Sequence, residues 1–146
     1  MNTRFNYAKV FPQVLEKMLE MENFAKNAGI EPILYELVKI RASQINGCAF
    51  CIDMHTKDIR AMGEQEKRIY LLNAWREAGF YSSKERAALE LTEYVTRISE
   101  HGLPEEVYER VKKEFNEKEI IALIVAINTI NSWNRIAIST GMTPPL

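Results

Sequence analysis

Apolar residues along this chain recur at helical spacing almost from end to end, and the alternation that marks a half-buried strand is nearly absent. Between residues 10 and 28, Phe11, Val14, Leu15, Met18 and Leu19, then Met21 or Glu22, follow a period near 3.6, and Gly29 ends the run. Pro32 suits the first turn of a second helix carrying Leu34, Leu37, Val38 and Arg41, which Asn46-Gly47 interrupts. A third helix is predicted over 48–62, closed by Gly63, and a fourth over 64–78 with Ile69, Leu72 and Trp75, closed by Gly79. Ser82 with Glu85, and Asn116 with Glu119, have the spacing of capping boxes. They open a fifth helix reaching residue 100 and a long apolar helix over 117–140 that Gly141 ends. His101-Gly102-Leu103-Pro104 reads as an exposed turn, with Pro104 opening a short helix between them. No linker, low-complexity tract or clear internal repeat interrupts the sequence. The expectation is a compact all-α bundle of six or seven helices, one domain over residues 1–146.

The last predicted helix is apolar nearly all round, through Ile120, Ile121, Leu123, Ile124, Val125, Ile127 and Ile130. Burial on most sides follows, either as a central core helix with its amides (Asn128, Asn131, Asn134) hydrogen-bonded or as a contact between subunits. Its greasiest run, 120–127, is far below the roughly 20 residues that cross a bilayer. The first seven residues carry no apolar signal-peptide core, so a soluble cytoplasmic protein is expected. Nineteen Lys and Arg balance twenty Asp and Glu, a pattern of solvated faces that recommends neither nucleic acid nor an anionic membrane as partner.

Chemistry concentrates in one stretch. The chain has two cysteines, spaced Cys48-Ala49-Phe50-Cys51, and one of its two histidines, His55, follows four residues later. On a helix, Cys48 and Cys51 are i,i+3 neighbours and Cys51 and His55 are i,i+4 neighbours, so all three share a face. The start of that helix favours a thiolate at Cys48, whereas the imidazole favours one at Cys51. A sulfenic acid formed on either could be closed to a disulfide by the other. Against this stand two incidental buried cysteines, or a zinc site, which wants four ligands and finds only distant His101 as a fourth. Ile52 after Cys51 excludes the haem-attachment pattern, which needs histidine there.

The run from Glu36 through Ile45-Asn46-Gly47-Cys48 to Cys51 and His55 has the pattern E-x11-C-x2-C-x3-H. It resembles the signature of the AhpD-like alkylhydroperoxidase family, within the carboxymuconolactone decarboxylase superfamily. The resemblance is tight from Glu36 to near Trp75 and implies an all-helical fold. It implies that Cys51 is the peroxidatic cysteine, Cys48 the resolving one, His55 the base and Glu36 the far end of a proton relay, with a Cys48–Cys51 disulfide closing each cycle. It further implies a hydroperoxide substrate, an external dithiol reductant such as a lipoyl- or thioredoxin-like protein, no metal or organic cofactor, and a homo-oligomer, trimer or hexamer. Without it, Glu36 would read as a solvated helix glutamate.

Phe50 departs from the polar ring common between the cysteines and can offer no hydrogen bond there. Arg41, Ser43 and Asn46 fall within the same signature, but their residue types suit structural work: Arg41 pairing an acid, Ser43 and Asn46 satisfying backbone groups at the helix junction. Two rival functions remain at this level, a lyase reaction like that of the superfamily's namesake and a dithiol that toggles as a redox sensor or disulfide-exchange module without turnover.

Overall fold

A computed structural model describes residues 3–146. Its helices are α1 (Tyr7–Val10), α2 (Pro12–Lys26), α3 (Pro32–Asn46), α4 (Ala49–Ala61), α5 (Glu66–Tyr70), α6 (Ser83–Thr96), α7 (Ile98–His101), α8 (Glu105–Glu114) and α9 (Glu117–Thr140), with a 3-10 turn at Leu72–Ala74. The all-α expectation holds among these residues, but the elements number nine helices rather than six or seven. The added breaks have identifiable origins.

Pro12 occupies the first turn of α2 and excludes helical geometry at Phe11 (φ −142°, ψ 78°), so α1 becomes a separate turn. The helix predicted over 64–78 stops at Tyr70. Beyond the 3-10 turn, Arg86 from α6 donates to the carbonyl oxygens of Trp75, Arg76 and Ala78 at 2.9–3.1 Å. Those carbonyls are satisfied by a distant guanidinium, so no further helical turn is needed there. The helix predicted to residue 100 turns at Arg97 (φ −103°, ψ 39°), leaving His101 exposed at the end of α7 rather than in a free turn.

Both capping boxes form. Ser82 Oγ accepts from Glu85 N and Asn116 Oδ1 from Glu119 N, each glutamate bonding back to its cap. Each such cap contributes on the order of 1 kcal/mol.

The centre of the bundle is α3, which packs on α9, α4 and α6. From Leu34 to Ile40 every residue is buried, so the helix has no solvent face there. One apolar cluster gathers Leu34, Val38, Leu91, Leu123 and Ile127 between α3, α6 and α9; another gathers Leu37, Ile40, Ile59, Leu72 and Leu89 on the opposite side. Each such side chain, fully buried, stabilises the fold by about 1.5–3 kcal/mol. The α9 helix is long and apolar enough to span a bilayer by length and composition, with mean hydropathy 1.3 over its greasiest window. More than half of that window is buried against the protein, which accounts for its apolar character, and its amides Asn131 and Asn134 are hydrogen-bonded.

At the other extreme is α2, whose only fully buried residue is Ala25. It lies across α9, with the preceding segment pinned by Arg4, whose backbone N–H and guanidinium donate to the carbonyls of Thr140 and Ser139. This thinly packed helix roofs the region where Cys51 and His55 meet the cavity described next.

Candidate active site

Gly47 sets the geometry of the site. It ends α3 in the left-handed region (φ 69°), where an L side chain is strained, and so turns the chain into α4. Cys48 is the N-cap of α4 rather than part of its first turn, and its Sγ accepts from the Cys51 N–H at 3.3 Å. Cys48 and Cys51 are joined by a disulfide with 5.3 Å between their Cα atoms. Both are almost wholly buried, Cys48 against Ala42, Ile130 and Ala137.

One turn further, His55 is buried at 4% exposure, and its Nδ1 lies 2.8 Å from Glu36 Oε2. Glu36 is equally buried on α3, so the helix glutamate that spacing alone would leave in solvent faces inward. A carboxylate only accepts, so Nδ1 carries the proton and Nε2 presents its lone pair away from Glu36. Asp58, on the following turn of α4 and half exposed, brings a second carboxylate oxygen to 3.9 Å from Nδ1. Glu36, His55 and Asp58 offer ligand-type atoms within 4.8 Å of one another, but the 2.8 Å contact between the first two is a hydrogen bond, the geometry of a proton path.

Cys51 and His55 open onto a cavity of about 340 Å³; Cys48 and Glu36 stand behind its wall. Its lining is mostly apolar: Leu19 from α2, Phe50 and Met54 from α4, Trp133, Ile136 and Ala137 from α9, and Met142. Phe50 thus contributes packing surface to the cavity. Its polar lining, besides His55, is Tyr7, Glu22, Lys39 and Asp58. Lys39 has no exposed surface, is paired with Glu22 and donates to Tyr35 Oη at 3.4 Å, with its Nζ 4.7 Å from the centre of the Tyr35 ring. Trp133 Nε1 donates to the other Glu22 oxygen at 3.3 Å. Burial, reinforced by the charge and hydrogen bond of Glu22, pushes the Tyr35 phenol well up, so it stays a neutral hydroxyl.

Lys39, Glu22, Asp58 and Trp133 line the site and were not offered as site residues by the sequence. Lys39 lies three residues after Glu36 and Asp58 three after His55, so helical spacing could have found both once their partners were known to be buried. Glu22 falls in the apolar period of the helix over 10–28, but nothing local marks it or Trp133 as part of a site.

The neighbouring signature residues brace the site. Arg41 pairs an acid as expected, donating to Glu93 at 2.9 Å. Ser43 Oγ donates to the Lys39 carbonyl and accepts from Asn134. Asn46 bonds the side chains of Asn131 and Asn134 on α9 rather than the backbone at the junction, tying the end of α3 to α9. A larger cleft of about 500 Å³ lies elsewhere, beside Trp75 and Arg86, but its arginines are engaged: Arg86 by carbonyls, Arg110 by Glu90 and Arg76 by Glu93.

The comparisons agree with this geometry. The profile of the carboxymuconolactone decarboxylase family matches residues 12–94. The chain is 50% identical over 141 residues to the uncharacterized protein YdfG of Bacillus subtilis, covering 97% of this chain and 96% of that one. The crystal structure of ATU0492 from Agrobacterium tumefaciens, a protein of unknown function proposed as an AhpD antioxidant defence protein, superposes with a TM-score of 0.97 at 42% identity, covering 99% of each chain. Over 44 residues, 30% of this chain and 24% of that one, it is 41% identical to the alkyl hydroperoxide reductase AhpD of Acidobacterium capsulatum. The bridged cysteine pair and the buried His55–Glu36 pair with Asp58 beside it form the arrangement of an AhpD-type thiol and proton-relay site. By fold, site and sequence, the chain belongs to the carboxymuconolactone decarboxylase family and is AhpD-like.

Proposed function

We propose that the protein is a thiol-dependent hydroperoxide reductase whose cycle runs through Cys51, Cys48, His55 and Glu36. The observation that carries this reading is the sidedness of the site: of the two bridged sulfurs only Cys51 belongs to a residue lining the apolar cavity, and it does so together with His55. In the reduced protein, His55 Nε2 takes the Cys51 proton while Glu36 steadies the resulting imidazolium through Nδ1. The Cys51 thiolate attacks the terminal oxygen of a hydroperoxide, giving a sulfenic acid and an alcohol. Cys48 then displaces the sulfenic oxygen as water and restores the disulfide. An external dithiol reduces it again by attack on Cys51, expelling Cys48 as a thiolate that the Cys51 N–H and the start of α4 stabilise.

Residues 1–146 act together as one domain in this reading. Its setting is the cytoplasm, where dithiol reductants of the lipoyl or thioredoxin kind are at hand. Exposed Val10, Phe11, Leu19 and Phe24 on and beside α2 support assembly into a homo-oligomer, trimer or hexamer. A bridged cysteine pair with one member, Cys51, in the cavity wall weighs against the namesake's lyase chemistry, which has no use for it.

The test is direct. Reduced protein is mixed with cumene hydroperoxide and followed by intact mass, then supplied with dihydrolipoamide while peroxide is measured. Loss of two hydrogens followed by sustained consumption supports the reading. Oxidation without turnover would leave a redox sensor, and no oxidation would rule out both.

A further inference from the structure

Lys39 is the one lysine or arginine lining the site, and the cycle above leaves it idle. It is fully buried, yet it lines the same cavity as Cys51 and His55. An ammonium has three N–H donors. Glu22 and Tyr35 accept two of them, and the third has no protein acceptor among the described residues. Burying a charge is costly unless its hydrogen-bonding capacity is filled, so a spare cationic donor in a cavity wall calls for an acceptor on whatever occupies the cavity. The other polar groups lining the cavity are less suited to that role. Glu22 on α2 and Asp58 on α4 carry acceptors, the Trp133 N–H on α9 is spent on Glu22, the His55 Nε2 is the base for Cys51, and the Tyr7 hydroxyl is a donor without the positive charge that an alkoxide calls for.

We propose that Lys39 is a catalytic residue of the peroxide step, binding the oxygen that leaves when the peroxide bond breaks. The assignment rests on the hydroperoxide reading. When the Cys51 thiolate attacks ROOH, the S–O bond forms and the O–O bond breaks, and its electron pair departs on the alkyl-bearing oxygen as RO⁻. The third N–H of Lys39 holds that oxygen as its charge develops. RO⁻ then takes the proton that His55 received from the thiol, so Cys51–SH and ROOH give Cys51–SOH and ROH with His55 neutral again. Glu22, Tyr35 and Trp133 keep the ammonium aimed, and the charge of Glu22 makes its burial tolerable. The arrangement corresponds to an oxyanion hole supplied by one preorganised cation, where loss of a donor typically costs 10²–10³ in rate.

The experiment exploits the leaving group. Single-turnover oxidation of the reduced protein is timed with cumene hydroperoxide, whose leaving alkoxide is strongly basic, and with peracetic acid, whose leaving acetate needs no help. Lys39→Met should slow oxidation by cumene hydroperoxide about 100-fold, and that by peracetic acid less than about 3-fold, with Cys51 alkylation by iodoacetamide unchanged. A Lys39→Met, Glu22→Gln double variant, which leaves no unpaired carboxylate, should behave alike and serves if the single variant folds poorly. Equal loss with both oxidants, or a parallel fall in alkylation, would overturn the assignment by placing the charge on the sulfur or in the scaffold. Failure of the unaltered chain to react with either oxidant would overturn the hydroperoxide reading and this assignment with it.

Discussion

Glu36 and Glu93 are buried carboxylates on packed neighbouring helices, α3 and α6, and they are held in opposite ways. Glu93 receives three donors: Trp75 Nε1 and Arg41 Nε at 2.9 Å, and Arg76 Nη1 at 2.6 Å. Burial alone would raise its pKa, but these hydrogen bonds together outweigh it and hold the carboxyl below its ordinary range. Glu36 has a single side-chain partner among the described residues, and that partner is an imidazole, which can gain or lose a proton. A carboxylate held by two guanidinium cations and an indole N–H is a fixed tie between elements; one bonded only to histidine has a partner that can take up or release a proton. In the proposed cycle the same residue type, buried in both places, thus serves structure in one and chemistry in the other.

Substitution separates the two roles. The largest effect belongs to the sulfur that the Glu36 side serves: Cys51→Ser should abolish peroxide consumption in a coupled assay while the far-ultraviolet circular dichroism stays helical. Glu36→Gln and His55→Gln should lower the rate about 10²–10³-fold. The His55→Gln deficit should be greatest at low pH and shrink as the thiol begins to ionise unaided, so a deficit independent of pH would deny His55 the part of base.

Glu93→Gln should do the reverse, leaving the thiol chemistry near wild type and costing about 3 kcal/mol of stability in urea, because Arg41 loses the anion it is buried against. Its pH signature is also distinct. A folded pKa below the unfolded one gives stabilisation that is complete above the ordinary carboxylate range and fades as pH falls through it toward the folded value. The acid limb of a stability–pH profile should therefore be shallower in Glu93→Gln than in the wild type. The smallest effect is Arg76→Ala, about 0.5–1 kcal/mol, because that side chain is half exposed and its charge is screened.

What the sequence disclosed follows the same division. Cys48, Cys51 and His55 were legible because their relation is local, fixed by the three- and four-residue spacing of one helix. The capping boxes were legible for the same reason. Glu36 became visible only through a family resemblance, since it reaches His55 from another helix. The burial of Lys39 could not be read, because the run Leu34–Ile40 gives no amphipathic pattern in which a lysine and a glutamate would stand out as inward-facing. The split of the helix predicted over 64–78 was hidden likewise, its cause being a guanidinium on α6. Local spacing carried the chemistry of the dithiol; the partners that tune it are tertiary contacts.

The central claim, that Cys51 meets the peroxide while Cys48 waits behind the cavity wall, is tested most directly by treating reduced Cys48→Ser and Cys51→Ser proteins with cumene hydroperoxide and mapping the oxygen adduct by mass spectrometry. The account predicts a sulfenic acid on Cys51 in the first variant and no comparable reaction in the second. An adduct forming on Cys48 as fast as on Cys51 would contradict it.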